Sequence, residues 1–533
     1  MKMKTIKKYA ALFLATLMAL SVVAGCGAQD GQETATSDAT SAANAQPVTL
    51  TVECFDTGTM SPDKVDKNYY LQYVADNFTK ETNITVKFVP VKYEDQANQL
   101  NLMMAARTAP DISTENDGSL VANFAAQGAA TDLTDLIAQY GQNLSAFEGP
   151  DALKECMFYG KLYAVPKKQM NRGIIDQLIR KDWLDKVGLP VPTTTDELHN
   201  ALLAFKQKDP GGFGKDTVPW SIAMGGIYRG YYSVSYTFVD FTQVDDRMWN
   251  TAPFWVMPGY KDYCRTMNQW YNEGLLSPDF ALDTDAKTLE ADWSNGKAGM
   301  SLGNLGHMQT LLPALLENVP TAEVAAFDPF TGKDGKHTKL GYPLANFFNF
   351  IPAFAKPENA VAAMKYMDWL SRSENLMVAS YGIEGKNYDM VDGVPTPRAD
   401  DPDAIDSFVY QLIATGAQMD DPEKIYRNYA LSILKQVGLS SNEKAVKLIM
   451  DSNRNALTDT KVWPTLNGSS NTIATDQPLL DQMQDGMFIK IFTCKPGEFD
   501  SVYEAQVKQY MDAGGTEVQK EKEKIYDQLK AAQ

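Results

Sequence analysis

Apolar positions recur along this chain with two spacings, one strand-like and one helix-like, and the two alternate. Val48 to Phe55 (VTLTVECF) is β-branched with period two, which predicts a strand, and Ile84 to Val89 predicts a second. Between them Tyr69 to Thr79 suits a helix, and Asp95 to Arg107 places Leu100, Met103 and Met104 on one side of another. Ala109 to Thr114 reads as a short strand running into the polar loop Glu115-Asn116-Asp117-Gly118. This order predicts a mostly parallel sheet with helices on both faces. In such sheets ligands gather at the loops beyond the strands' C-terminal ends.

The pattern changes between Tyr159 and Pro192. Gly160-Lys161 turns the chain, Leu162 to Val165 is a short apolar run, and Pro166, which cannot donate to a ladder, is expected to end it. A second apolar run follows, then a helix-like stretch through Arg180, Asp182 and Trp183. Two strand-like pieces joined in this way suit a chain leaving one domain for another, with a ligand cleft between them. Past the crossing, Thr194-Thr195-Asp196-Glu197 is a capping box ahead of Leu198, Ala201, Leu202 and Phe205 at helical spacing. Further helices are expected at Pro258 to Glu273, His307 to Glu317, Pro357 to Ser371, Asp500 to Asp512 and Glu517 to Leu529. Gly296 to Leu302 reads as a strand, and Phe347 to Ala355 as a return crossing. The expected organisation is two α/β lobes: residues 47–166 form lobe 1, 167–345 lobe 2, and 346–395 return to lobe 1. Residues 396–533 form a helical region packing mainly on lobe 2.

The first residues add a compartment. Lys2, Lys4, Lys7 and Lys8 precede an apolar run, Tyr9 to Val23, that is short for a membrane span and ends in Val23-Ala24-Gly25-Cys26. Small residues before a cysteine resemble a bacterial lipobox, so residues 1–25 are expected to be a leader and Cys26 a lipidated N-terminus. Residues 26–46, rich in Ala, Thr, Ser and Gln, then read as a flexible tether. That places the protein outside the cell, anchored on the outer face of the cytoplasmic membrane, in a Gram-positive arrangement. A formal charge of −18 argues against nucleic acid and anionic lipid as partners. Cys54, Cys156, Cys264 and Cys494 allow three pairings of two disulfides or four free thiols, and their spacing does not choose.

Catalytic signatures are sparse. Gly299-Met300-Ser301-Leu302-Gly303 matches the GxSxG elbow of serine hydrolases. The three histidines, His199, His307 and His337, make a poor triad, because a base should follow the serine at a distance. GxGxxG, GxxxxGK[ST] and HExxH are absent, and scattered His and Cys do not make a zinc site.

Several stretches together resemble a known family. They are GKLYAVP (160–166), RKDWLDKVGLPVPTT (180–194), FKQKDP (205–210), QWYNEGLLSPDF (269–280), YGIEGKNYDMVDGVP (381–395) and GEFDSVYEAQVKQYMDAGGTEVQKE (497–521). In this order they are similar to extracellular solute-binding proteins of family 1, in the long lipoprotein branch serving carbohydrate ABC importers. The resemblance implies a type II periplasmic-binding-protein-like fold. Each lobe is a mixed sheet flanked by helices, hinged by crossover strands that close over an oligosaccharide or other small polar solute. It also implies delivery to ABC permease subunits by a monomer that leaves its ligand unchanged and needs no cofactor. Many relatives hold structural calcium in a loop after the Asp-Pro pair. Here Gly211 and Phe213 stand where oxygen ligands would be needed, so calcium is not expected.

A sugar offers hydroxyls at its rim and C–H faces, so its site needs planar polar side chains and aromatic platforms. The candidates, taken from strand-end loops and crossings, are Asp56, Glu115, Asn116, Asn171, Arg172, Trp220, Tyr231, Tyr232, Trp249, Trp255, Asn304 and Phe348. Three other readings stay open: a surface carbohydrate hydrolase, the same fold binding a non-sugar solute, and a sensor-kinase partner.

Overall fold

In the computed structural model the first alternating run is the strand Thr49–Asp56, paired in parallel with Thr85–Lys92 and joined to it through the helix Tyr69–Thr82. The structure describes residues 48–531 apart from 57–68, 171, 174, 226–228, 231–233, 305–307, 399–412, 416–420, 436, 463, 465, 467 and 469. The leader, Cys26, the tether, Asn171, Tyr231 and Tyr232 therefore lie outside the described residues.

Two separate apolar cores organise what is described. The first gathers Leu50, Val52 and Cys54 with Phe78, Leu100, Ile112, Phe350, Tyr366 and Trp369. Its central sheet runs in the order Ala414–Thr415, Val165–Gln169, Ala345–Phe350, Ser113–Glu115. A parallel bridge between Val52 and Ile112 ties this sheet to the first strand pair. The Ala345–Phe350 strand is antiparallel to both neighbours, so the lobe is mixed. Pro166 does not end a strand: it lies inside Val165–Gln169, opposite Phe348. Its fixed φ suits extended backbone, and its missing N–H removes one possible donor without breaking the ladder.

The second core is built on the strand order Val324–Phe327, Ile175–Arg180, Ala298–Asn304, Val218–Ser221. Trp183, Phe205, Trp220 and Trp293 fill it, Trp183 meeting Phe205 edge-on at 5.3 Å. The capping box holds in altered form. Thr194 accepts from the Glu197 N–H, while Glu197 reaches back one residue further, to the N–H of Thr193 at 2.8 Å. The helix it starts, Thr195–Lys208, buries Leu198, Ala201, Leu202 and Phe205.

Five C-terminal helices join this second core: Pro422–Lys435, Glu443–Leu457, Asn471–Thr493, Phe499–Tyr510 and Thr516–Ala531. Leu431, Ile449, Phe488, Phe492, Tyr510 and Val518 are their inward side chains. The last two helices meet through a wide turn, Met511–Gly515, where Gly514 takes φ 126°, a conformation that suits glycine. Cys54, Cys156, Cys264 and Cys494 are all free thiols. Among the described residues no helix is long and apolar enough to cross a membrane.

The crossings between the cores lie side by side. The Tyr342 N–H donates to the Arg172 carbonyl at 2.9 Å, and Gln169 N–H donates to Leu344 at 2.8 Å. A third connection, at Ile413, accepts from the Lys168 N–H at 2.8 Å. Glu155 pins the return strand: its two oxygens accept from the N–H groups of Leu344 (3.2 Å) and Ala345 (2.7 Å).

Candidate functional site

A cavity of about 400 Å³ opens where the second core and the C-terminal helices face the first lobe. That volume lies within the usual range for small-molecule sites. Ser119, at the start of the helix Gly118–Ala126 in lobe 1, lines it from one side. Asp117 caps that helix, accepting from the Ser119 N–H at 2.8 Å. Gly118 is required there: a Cβ would stand 2.8 Å from the Phe348 ring. The loop therefore rests flat on Phe348, which pairs with Glu115 in the sheet.

Aromatic side chains form much of the opposite wall. Trp249 comes from the short helix Asp246–Thr251, started by an Asp245 cap on the Met248 N–H at 2.7 Å. Its indole N–H donates to the Val462 carbonyl at 3.1 Å, and Lys461 lies over its ring. Trp255 packs edge-on against Phe254 and Tyr510, each at 4.6 Å. All four of these rings line the cavity. The remaining wall is polar. Gln477, Asp481 and Gln484 follow one face of the helix Asn471–Thr493, and Gln519 and Lys522 come from Thr516–Ala531. They are linked: Lys522 donates to Gln477 at 3.0 Å, and Gln477 donates to Asp481 at 2.7 Å. Burial holds the Lys522 ammonium below the usual lysine range, and Asp481 partly offsets that. Donors, acceptors and aromatic side chains thus border one space, with Trp249, Trp255 and Tyr510 themselves almost wholly buried in the second core.

Of the residues named from sequence, Trp249 and Trp255 line this cavity, both as buried members of the second core. Glu115 ends the strand Ser113–Glu115 and Asn116 follows it, just ahead of the helix that carries Ser119, with Asn116 exposed and Glu115 buried. Glu115 accepts from the N–H groups of Asn116 and Asp117, and burial raises its pKa. Phe348 lies beneath the same loop. Trp220 is placed elsewhere, fully buried in the second core and edge-on to Trp270 at 5.7 Å. Arg172 stands at the crossing, where its Nε donates to the Tyr342 carbonyl at 2.8 Å. Asp56 ends the first strand, half-buried, and Asn304 ends the strand Ala298–Asn304. Ser119, Tyr510, Gln477, Asp481 and Lys522 were not among the sequence candidates. Their one sequence signal is the i, i+4, i+7 spacing of Gln477, Asp481 and Gln484, which any solvated helix face also shows.

Two other motifs resolve structurally. Asp209 takes φ 45°, and its carboxylate accepts from the N–H groups of Phe213 (2.9 Å) and Gly214 (2.7 Å) and from the Thr217 hydroxyl. Those bonds hold the loop in its turn, and Gly211, Gly212, Phe213 and Gly214 bring no side-chain oxygen to it, a poor fit to calcium, which takes six to eight oxygen ligands. Among the described residues no three acidic, His or Cys side chains cluster as a metal site. Ser301 of the GxSxG match lies within a strand, fully buried, and donates to the Leu302 carbonyl. A nucleophile elbow instead exposes its serine on a sharp turn.

Two cores, described crossings that lie side by side and a cavity bordered by residues of both lobes suit a solute-binding protein. The sequence agrees: residues 61–377 match the bacterial extracellular solute-binding protein family, and the chain belongs to it. Among its relatives is the lipoprotein LipO of Bacillus subtilis, 26% identical over 419 residues, covering 74% of this chain and 76% of LipO. The polygalacturonan/rhamnogalacturonan-binding protein YtcQ of the same species is 27% identical over 337 residues, 60% of this chain and 65% of YtcQ. The fructooligosaccharide ABC transporter substrate-binding protein FusA of Streptococcus pneumoniae is 28% identical over 332 residues, 55% of each chain. The structure of FusA with kestose superimposes with a TM-score of 0.60 at 19% identity, over 91% of this chain and all of FusA, so the fold is shared.

Proposed function

We propose that this protein is the substrate-binding component of an ABC importer, capturing an oligosaccharide between its lobes and handing it unaltered to membrane permease subunits. The observation that carries the reading is the cavity where Trp249, Trp255 and Tyr510 face Gln477, Asp481 and Lys522, with Ser119 reaching in from the other lobe. Ring faces supply apolar area at low entropic cost, and the amides and charges supply hydrogen bonds. Relatives named for carbohydrate binding support the choice of ligand. The buried Ser301 supports binding without hydrolysis.

The test is a thermal-shift and fluorescence screen of the purified protein against an oligosaccharide panel. A cognate sugar raises the melting temperature and quenches tryptophan emission. A broad panel producing neither change removes the carbohydrate reading. The anchor is proposed at Cys26, behind the basic and apolar leader. A Cys26→Ser variant is expected to lose incorporation of labelled fatty acid that the parent shows, and labelling that persists in the variant would count against lipidation at Cys26.

A further inference from the structure

We infer that the cavity selects an uncharged oligosaccharide over a uronate-bearing one. The inference rests on the carbohydrate reading above and specifies the ligand's charge. Among the described lining residues two carry charge, Asp481 and Lys522, of opposite sign. They are joined through one amide: Lys522 Nζ donates to Gln477 Oε1 at 3.0 Å, and Gln477 Nε2 donates to Asp481 Oδ1 at 2.7 Å. The ammonium is already turned to a neutral acceptor and balanced by a carboxylate on the same chain of bonds. A sugar carboxylate drawn to Lys522 would also meet Asp481.

Among the described residues beside the cavity, the arginines are held by carboxylates and one lysine is held over aromatic rings. Arg229 is paired with Asp485 at 3.1 Å, and Arg247 with Glu523 and Asp527 at 3.1 and 3.0 Å. Lys461 lies over the rings of Trp249 and Phe241. From lobe 1, the segment Asp111 to Ser119 carries three acids and no base. The helix N-terminus at Ser119, the usual backbone attraction for an anion, is closed by the Asp117 carboxylate. Strong carboxylate recognition uses the two-pronged geometry of arginine, and no arginine is among the lining residues described. What remains suits hydroxyls: Gln477, Gln484 and Gln519 each donate and accept, Asp481 accepts, and Lys522 donates.

The experiment is calorimetric titration of the full chain with two length-matched series, neutral oligosaccharides and oligogalacturonides. At least one neutral member is expected to bind about ten-fold or more tightly than any oligogalacturonide, with affinity insensitive to salt. Asp481→Asn is expected to weaken the neutral ligand about ten-fold, because a carboxylate that accepts on both oxygens, one of them already taken by Gln477, becomes an amide that accepts on one, while its melting curve stays unchanged. Tighter binding of an oligogalacturonide, salt-sensitive and lost in Lys522→Gln, overturns the inference and leaves the carbohydrate reading standing. Binding of neither series, with a melting shift from a peptide or amino-acid mixture instead, removes both.

Discussion

At the scale of single residues, the structure separates groups that hold the protein together from groups free to meet a ligand. Glu53 belongs to the first kind. It is fully buried, accepting from the Thr114 N–H at 3.1 Å and from Gln96 at 3.2 Å, and burial pushes its pKa up to about 8. A carboxyl raised in the folded state holds its proton there while the unfolded chain has lost it. Stability therefore falls as pH rises from the ordinary carboxylate value, about 4.5, towards about 8. Glu53→Gln removes that slope. Its stability relative to the parent is expected to grow across this window in denaturant titrations, and a constant difference would show that Glu53 is ionised throughout. Asp209 organises its loop through its own hydrogen bonds. Asp209→Ala is expected to cost about 1 kcal/mol, the scale of a lost cap. A metal chelator is expected to leave the parent's melting midpoint where it was, and a fall on adding chelator would show that a metal does bind.

At the scale of elements, the periodic stretches were the readable part of the chain. The helix Tyr260–Asn272 buries Tyr263, Met267 and Trp270, as its spacing implies. The strand Thr49–Asp56 buries alternate residues at its start. Pro166 misled because a local rule about donors gives way where the neighbouring strands already fix the backbone. The cavity was half legible. Trp249 and Trp255 stood out as large rings beside a loop. Gln477, Asp481 and Lys522 did not, since they meet only when two helices distant in sequence fold against the second core. The capping box supports a direct measurement: Thr194→Ala removes the acceptor for the Glu197 N–H and is expected to cost about 1 kcal/mol. At the crossing, Glu155→Ala deprives the Leu344 and Ala345 N–H groups of their acceptor. It is expected to cost about 1–3 kcal/mol and to speed hydrogen exchange at those two amides. Unchanged exchange there would mean that Glu155 does not fix the return strand.

At the scale of the whole molecule, two cores with few connections give a body able to respond to a ligand that touches both. Ser119 on one side and the Trp249 wall on the other face the same cavity. A guest held by both favours the arrangement in which they are close, and only by as much as its contacts differ between arrangements. The net charge of −18 fits this picture, because an uncharged guest suffers no long-range repulsion on approach. The most direct test of capture without chemistry is a fluorescence titration of the full chain with neutral oligosaccharides, followed by recovery of the bound sugar. The account predicts saturable one-to-one binding, weakened about ten-fold by Gln477→Ala, and a guest recovered with every glycosidic bond intact. Absence of binding across the panel, or recovery of shortened sugars, would contradict it.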